Sequence, residues 1–140
     1  MVVIKHGKHD QLVVDTADHL ADTKGGELVF ARFMKIDSNE AQIAEEKKYL
    51  EMLSEKTVAK ASVAMFLCEN EVKKIIKNSY EYDLIVLGAP HRSRFGRFFG
   101  TEMDKILENA NCSVVTLQAN FAAPLSEVKE KGSIRSRIEP

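Results

Sequence analysis

The chain has 140 residues, of which 44% are hydrophobic and 29% charged, a composition typical of one soluble globular domain. A formal net charge of −1 gives no general attraction to nucleic acid or to an anionic membrane, so we expect neither as a partner. No apolar run reaches the roughly 20 residues of a membrane helix. The sequence predicts no signal peptide, and its two cysteines predict no disulfide framework, so we expect a cytoplasmic location.

The first half of the chain alternates between strand-like and helix-like segments. Asp10 is predicted to cap the first helix, and Gly25-Gly26 to end it, because glycine adopts the left-handed conformation beyond a helix end. Asp37-Ser38 is predicted to cap the second helix. The predicted elements are a strand over 2–4, a helix over 11–24, a strand over 27–36, a helix over 39–55 and a strand over 58–67.

The second half continues the same alternation. Asn70 is predicted to cap a third helix, and the aliphatic run Leu84–Leu87 is typical of a strand buried on both faces of a parallel sheet. Thr101 and Asp104 have the spacing of a capping box at the start of a fourth helix, and residues 113–117 form the last predicted strand. The βαβαβαβαβ pattern predicts one α/β domain with a parallel five-stranded sheet and helices on both faces.

Residues 119–140 differ from the rest of the chain. They contain a proline, mixed charges and no sustained apolar stripe. We therefore predict a domain over residues 1–118, followed by a C-terminal tail or packing arm over residues 119–140.

A ligand site is expected beyond the carboxyl ends of the strands, where the winding of such a sheet reverses. The loops to consider are 5–10, 68–70 and 88–101. The last loop carries Arg92, Arg94 and Arg97 and ends with Gly100 and Thr101 at a predicted helix N-terminus. Backbone N–H groups at a helix N-terminus and arginine side chains both suit an anion such as phosphate.

The sequence resembles the universal stress protein family. The resemblance is most specific in Asp83–His91, Gly100-Thr101 and Cys112–Leu117, and in element order it covers residues 2–118. It implies a doubly wound, adenine nucleotide alpha hydrolase-like fold with strand order 3-2-1-4-5. It also implies a homodimer formed through the last strand, with Val114, Val115 and Leu117 in the interface.

One branch of this family binds ATP with a glycine-rich loop, and the present loop is atypical. The branch has a glycine, two residues, a second glycine, nine residues, and then glycine with serine or threonine. Gly88 and Gly100-Thr101 match the ends of this pattern, but His91 replaces the second glycine and the following spacing is one residue short. The acidic residue that follows strand one in the family is Lys5 or His6 here. A histidine side chain fills space that glycine leaves for the phosphate.

The resemblance implies a regulatory domain that senses ATP, AMP, another nucleotide or another small anion through this loop. An alternative is a ligand-free interaction domain, including a cytosolic region tethered to an amino-acid or cation transporter. No catalytic constellation and no metal-ligand spacing is evident, so we do not expect an enzyme, with weak hydrolysis of ATP as the remaining alternative. The predicted ligand-binding residues are Lys5, His6, Gly88, Ala89, Pro90, His91, Arg92, Arg94, Gly100 and Thr101.

Simpler interpretations remain open at several of these positions. His91 could be a solvated loop histidine, and the arginines could form an exposed basic loop paired with nearby acids. The alternation of arginine and phenylalanine over residues 94–99 could stack on nucleic-acid bases, but one short segment in a near-neutral chain is weak support. Cys68 is either redox-active or an inert, partly buried thiol.

Overall fold

A parallel sheet of five strands forms the centre of the molecule. The computed structural model of the chain describes residues 1–89 and 101–118, without the side chain of Thr101. The strands are β1 (Val2–Val3), β2 (Leu28–Lys35), β3 (Ala61–Cys68), β4 (Leu84–Gly88) and β5 (Ser113–Leu117). Their order is β3-β2-β1-β4-β5, and every neighbouring pair is parallel, which confirms the predicted fold class.

Within the part of the chain that the structure describes, four α-helices connect the strands. They are α1 (Asp10–Lys24), α2 (Glu40–Ser54), α3 (Glu71–Asn78) and α4 (Thr101–Asn109), with a single 3-10 turn over Ser79–Glu81 after α3. The predicted residues 90–100 of the site loop and the predicted tail over 119–140 lie outside the described residues.

Each face of the sheet has its own hydrophobic core. On one face, Val13 of α1 and Leu50 of α2 pack against β1 and β2, and both side chains are almost completely buried. On the other face, Ile75 of α3 and Ile106 of α4 pack against β1 and β4. The chain therefore winds one way through β1, β2 and β3 and the other way through β4 and β5. This places the reversal between β1 and β4, where ligands are expected in such folds.

The central strand β1 is short but fully enclosed. Val2 lies opposite Phe30 of β2 and Val86 of β4. The regular ladder ends at Val3, one residue earlier than predicted, although the Ile4 N–H still donates to the Ala31 carbonyl at 2.9 Å. The chain then leaves the sheet and enters the loop that leads to α1.

Two predicted boundaries are corrected by local hydrogen bonds. Asn39, and not Asp37-Ser38, caps α2: its side chain accepts from the Gln42 N–H at 2.9 Å, and the Gln42 side chain accepts from the Asn39 N–H. Strand β3 begins at Ala61 and not at Val58, because the N–H groups of residues 58 and 59 donate to the Asp18 carboxylate of α1. By contrast, Asn70 caps α3 as predicted.

The capping assignment predicts a difference between two neighbouring substitutions. Asn39→Ala removes the side-chain oxygen that accepts from the Gln42 N–H, although the backbone N–H of residue 39 can still donate to the Gln42 side chain. It should lower the free energy of unfolding by about 1 kcal/mol. Ser38→Ala, at a position predicted from sequence to cap, should change it by less than about 0.5 kcal/mol. Urea unfolding of both variants measures the difference, and equal losses would contradict the assignment.

Candidate functional site

A cavity of about 630 Å³ lies at the carboxyl ends of β1 and β4, at the point where the winding reverses. Its inner wall is apolar and includes Ile75, Leu87 and Ile106. Charged side chains lie around its mouth. The remaining described residues that line it are Lys5, Gly7, Lys8, His9, Asp10, Glu71, Val72, Gly88, Ala89, Glu102 and Met103. An apolar wall with polar groups at the mouth is typical of small-molecule sites.

Gly88 occupies a position where only glycine fits well. A Cβ atom placed on Gly88 would lie 2.9 Å from the Cβ of His9, closer than two carbon atoms can approach without displacement. The end of β4 and the loop before α1 are therefore in close contact at this point. The small residue lets both backbones border the same cavity.

The loop between β1 and α1 is held by the carboxylate of Asp10. This side chain is almost completely buried and accepts from the N–H of Gly7 at 3.0 Å, the N–H of Lys5 at 3.3 Å and the Tyr49 hydroxyl at 2.9 Å. Asp10 therefore does not cap the helix as predicted but lies in its first turn and binds the preceding loop. The correction follows from the return of the loop over the helix start, which presents these N–H groups to the carboxylate.

Tyr49 of α2 completes this arrangement. Burial, together with the hydrogen bond and negative charge of Asp10, raises the pKa of Tyr49 to about 12. The phenol therefore remains protonated at neutral pH and donates to the carboxylate. Through this bond, α2 supports the loop that borders the cavity.

His6 points away from the cavity. Its backbone has a φ of 56°, which is unusual for a non-glycine residue, and its ring stacks on Tyr49 with centroids 3.8 Å apart. His6 Nδ1 lies 2.9 Å from the Glu46 carboxylate, which also accepts from Arg32 at 3.0 Å. Burial alone would raise the pKa of Glu46, but the hydrogen bonds from His6 and Arg32 lower it.

Lys5 is on the cavity side of the same loop. Its ammonium group forms an ion pair with Glu71, in the first turn of α3, and both side chains line the cavity. Glu102, in the first turn of α4, adds another carboxylate to the lining. The mouth of the cavity thus carries charges of both signs.

The structure brings together four of the ten predicted ligand residues around or beside this cavity. Lys5, Gly88 and Ala89 line it, whereas His6 is adjacent but directed toward α2. Helix α4 begins at Thr101, one residue earlier than predicted, so Thr101 is its first residue and not its N-cap; the side chain of Thr101 is not described. The other predicted positions, Pro90, His91, Arg92, Arg94 and Gly100, lie outside the described residues.

Several lining residues were missed by sequence reasoning. The sequence does not single out Glu71 or Glu102, because an acid in the first turn of a helix is common and is explained by the helix dipole alone. Asp10 is predicted to be a cap because an aspartate just before a helical stripe is a common N-cap residue. Only the fold brings these residues to one cavity, since they belong to three different helices.

Cys68 does not have the properties of a reactive thiol. Burial, followed by the charge of Glu71, raises its pKa. Its Sγ lies 3.7 Å from the Met34 carbonyl. Because the thiolate is the reactive form, a raised pKa favours the inert interpretation.

A family model described as the universal stress protein family matches residues 1–118. The chain belongs to the universal stress protein family. Universal stress proteins are generally nucleotide-binding regulators rather than enzymes, in agreement with the expectation from sequence. A search of curated proteins gives no match.

Solved structures of universal stress proteins share the fold. One from Archaeoglobus fulgidus has a TM-score of 0.70 and 18% identity, with 84% of this chain and 90% of that chain covered. The same organism's protein in complex with dAMP has a TM-score of 0.63, 18% identity and coverage of 84% and 94%. A universal stress protein in complex with cAMP has a TM-score of 0.67, 15% identity and coverage of 85% and 96%.

Within residues 1–89 and 101–118, no helix is long and apolar enough to cross a membrane. In the same part of the chain, no group of three or more histidine, cysteine, aspartate or glutamate side chains is arranged to hold a metal ion.

The contact at Gly88 predicts a contrast between two glycines near the cavity. Gly88→Ala should lower the free energy of unfolding by about 1–3 kcal/mol, because the added methyl group meets His9 and must displace it. Gly7→Ala is the matched control, since nothing lies within 4 Å of its added Cβ. Thermal unfolding distinguishes the two, and a Gly88→Ala variant as stable as Gly7→Ala would contradict the close approach.

Proposed function

We propose that this universal stress protein is a cytoplasmic regulator that binds a nucleotide in the cavity between the carboxyl ends of β1 and β4. The observation that carries the proposal is the cavity itself, with its volume of about 630 Å³ at the reversal of the winding. Its apolar wall suits the face of a base or ribose, and the amines of Lys5 and Lys8 suit a phosphate. Related structures in complex with dAMP and cAMP support the choice of ligand class.

Regulation would proceed by a shift in population. A nucleotide in the cavity would contact the β1–α1 loop and the first turns of α3 and α4, which are separate elements bordering one space. It would stabilise the conformation in which these elements are placed to bind it, by an amount set by its different affinities for the two states. A protein partner that distinguishes those states would then respond to the ligand.

Calorimetric titration with ATP, AMP and cAMP, with and without magnesium, tests the proposal. We expect saturable binding of at least one nucleotide, weakened about tenfold by Lys5→Ala through loss of a charge-assisted hydrogen bond. Lys60→Ala is the control, because Lys60 forms an exposed ion pair with Glu27 away from the cavity. Absence of heat with every nucleotide would refute the proposal and favour the ligand-free interaction domain, including one tethered to a transporter.

We also propose a homodimer formed through β5. This strand pairs only with β4 among the described strands, and Val114, Val115 and Leu117 are only partly buried. Pairing with a second copy would extend the sheet and cover this edge.

A charge at the edge tests the dimer. Val115→Lys should convert a dimer to a monomer in sedimentation velocity, because a charged side chain opposes pairing at a sheet edge. Val58→Lys, at a position that is 80% exposed and far along the chain from β5, is the control and should remain dimeric. A wild-type chain that sediments as a monomer would exclude this interface.

A further inference from the structure

The ion pair between Lys5 and Glu71 lies across the mouth of the cavity. Lys5 follows β1 and Glu71 begins α3, so the contact joins two elements that are 66 residues apart in sequence. Both side chains are part of the cavity lining, and both are partly exposed, at 45% and 35%. An ion pair this exposed contributes little to stability and is readily exchanged for another partner.

Glu71 is shared by the cavity and two neighbouring spaces. A space of about 300 Å³ lies at the ends of β2 and β3, and another of about 840 Å³ lies between β2 and α2. Glu71 lines both of them as well as the main cavity. A movement of this one side chain would therefore change the boundary of all three spaces.

The backbone of Lys5 is held by a buried carboxylate, whereas its side chain is bound by a partly exposed one. The Lys5 N–H donates to the buried Asp10 carboxylate, which Tyr49 also supports. The side chain reaches past this anchored point to Glu71. The ammonium group can thus exchange one anionic partner for another without a rearrangement of the loop.

From this geometry we propose that Glu71 acts as an internal competitor for the ligand: the anionic group of a bound nucleotide replaces the Glu71 carboxylate on Lys5. The inference rests on the proposed function and adds a regulatory contact to the same site. Such a ligand binds only when Lys5 is released from Glu71. Its apparent affinity is then its intrinsic affinity multiplied by the fraction of molecules in which the ion pair is open. Displacement of Glu71 would also change the boundary of the two spaces beside β2 that it lines.

Removal of the competing charge should tighten the binding of anionic ligands only. We expect Glu71→Gln to bind AMP about fivefold more tightly than the wild type, since an exposed ion pair no longer has to be broken. Binding of adenosine, which has no phosphate, should not change. Glu71→Asp keeps the acid in the first turn of α3 but shortens its reach to Lys5, and it should give part of the same gain. Because Glu71→Asp keeps a negative charge at the start of α3, a gain in this variant cannot come from a change in helix stability.

Three further variants separate competition from a general effect of charge. Glu102→Gln removes a carboxylate from the same cavity, and Glu27→Gln removes one from the distant ion pair with Lys60. Neither variant should reproduce the tighter binding of AMP that is expected of Glu71→Gln. In a Lys5→Met background the gain from Glu71→Gln should disappear, because the group for which ligand and carboxylate compete is gone.

Calorimetry with AMP and adenosine on this set decides between the outcomes. The competitor is refuted if the wild type binds AMP and Glu71→Gln binds it no more tightly, a result that leaves the proposed function intact. It is also refuted if Glu102→Gln gives an equal gain or if the gain persists without Lys5. Failure of both wild type and Glu71→Gln to bind any nucleotide would reject the proposed function and the competitor together.

Discussion

The site depends on one buried carboxylate. Asp10 accepts hydrogen bonds from two N–H groups of the β1–α1 loop and from the hydroxyl of Tyr49. A buried charge is tolerated only when its hydrogen bonds are satisfied, so the loop, α1 and α2 have to be placed together. The same arrangement turns His6 toward Glu46 and leaves Lys5 on the cavity side. The position of Lys5, which pairs with Glu71, is thus a consequence of how the hydrogen bonds of Asp10 are satisfied.

The cavity combines an apolar interior with a mouth of mixed charge. Its apolar residues continue the core between the sheet and the helices α3 and α4. The charged residues come from the starts of three helices and the loop after β1. This distribution favours a ligand with a flat apolar part and an anionic part over a simple inorganic anion. It also explains how an acidic side chain can compete with the ligand at the mouth.

Much of the fold could be predicted from the sequence because hydrophobic periodicity reports burial directly. The aliphatic run before Gly88 and the glycines after α1 were sufficient to place a strand and a helix end. The cap at Asn39 was missed because Asp37, Ser38 and Asn39 are all good capping residues, and only the reciprocal bond with Gln42 distinguishes them. Glu71 was missed because its role depends on a contact with Lys5 across 66 residues, which no local pattern encodes.

The most direct test of the account is an NMR titration of the isotope-labelled chain with AMP. A nucleotide bound between β1 and β4 should give saturable shifts in the backbone amides of Lys5, Gly7, Gly88 and Glu71, which border the same cavity from three elements. The amides at the amino ends of the strands, such as those of Leu28 and Ala61, should change little. Shifts confined to residues away from the cavity, or no shift at all, would contradict the claim that a nucleotide binds between β1 and β4.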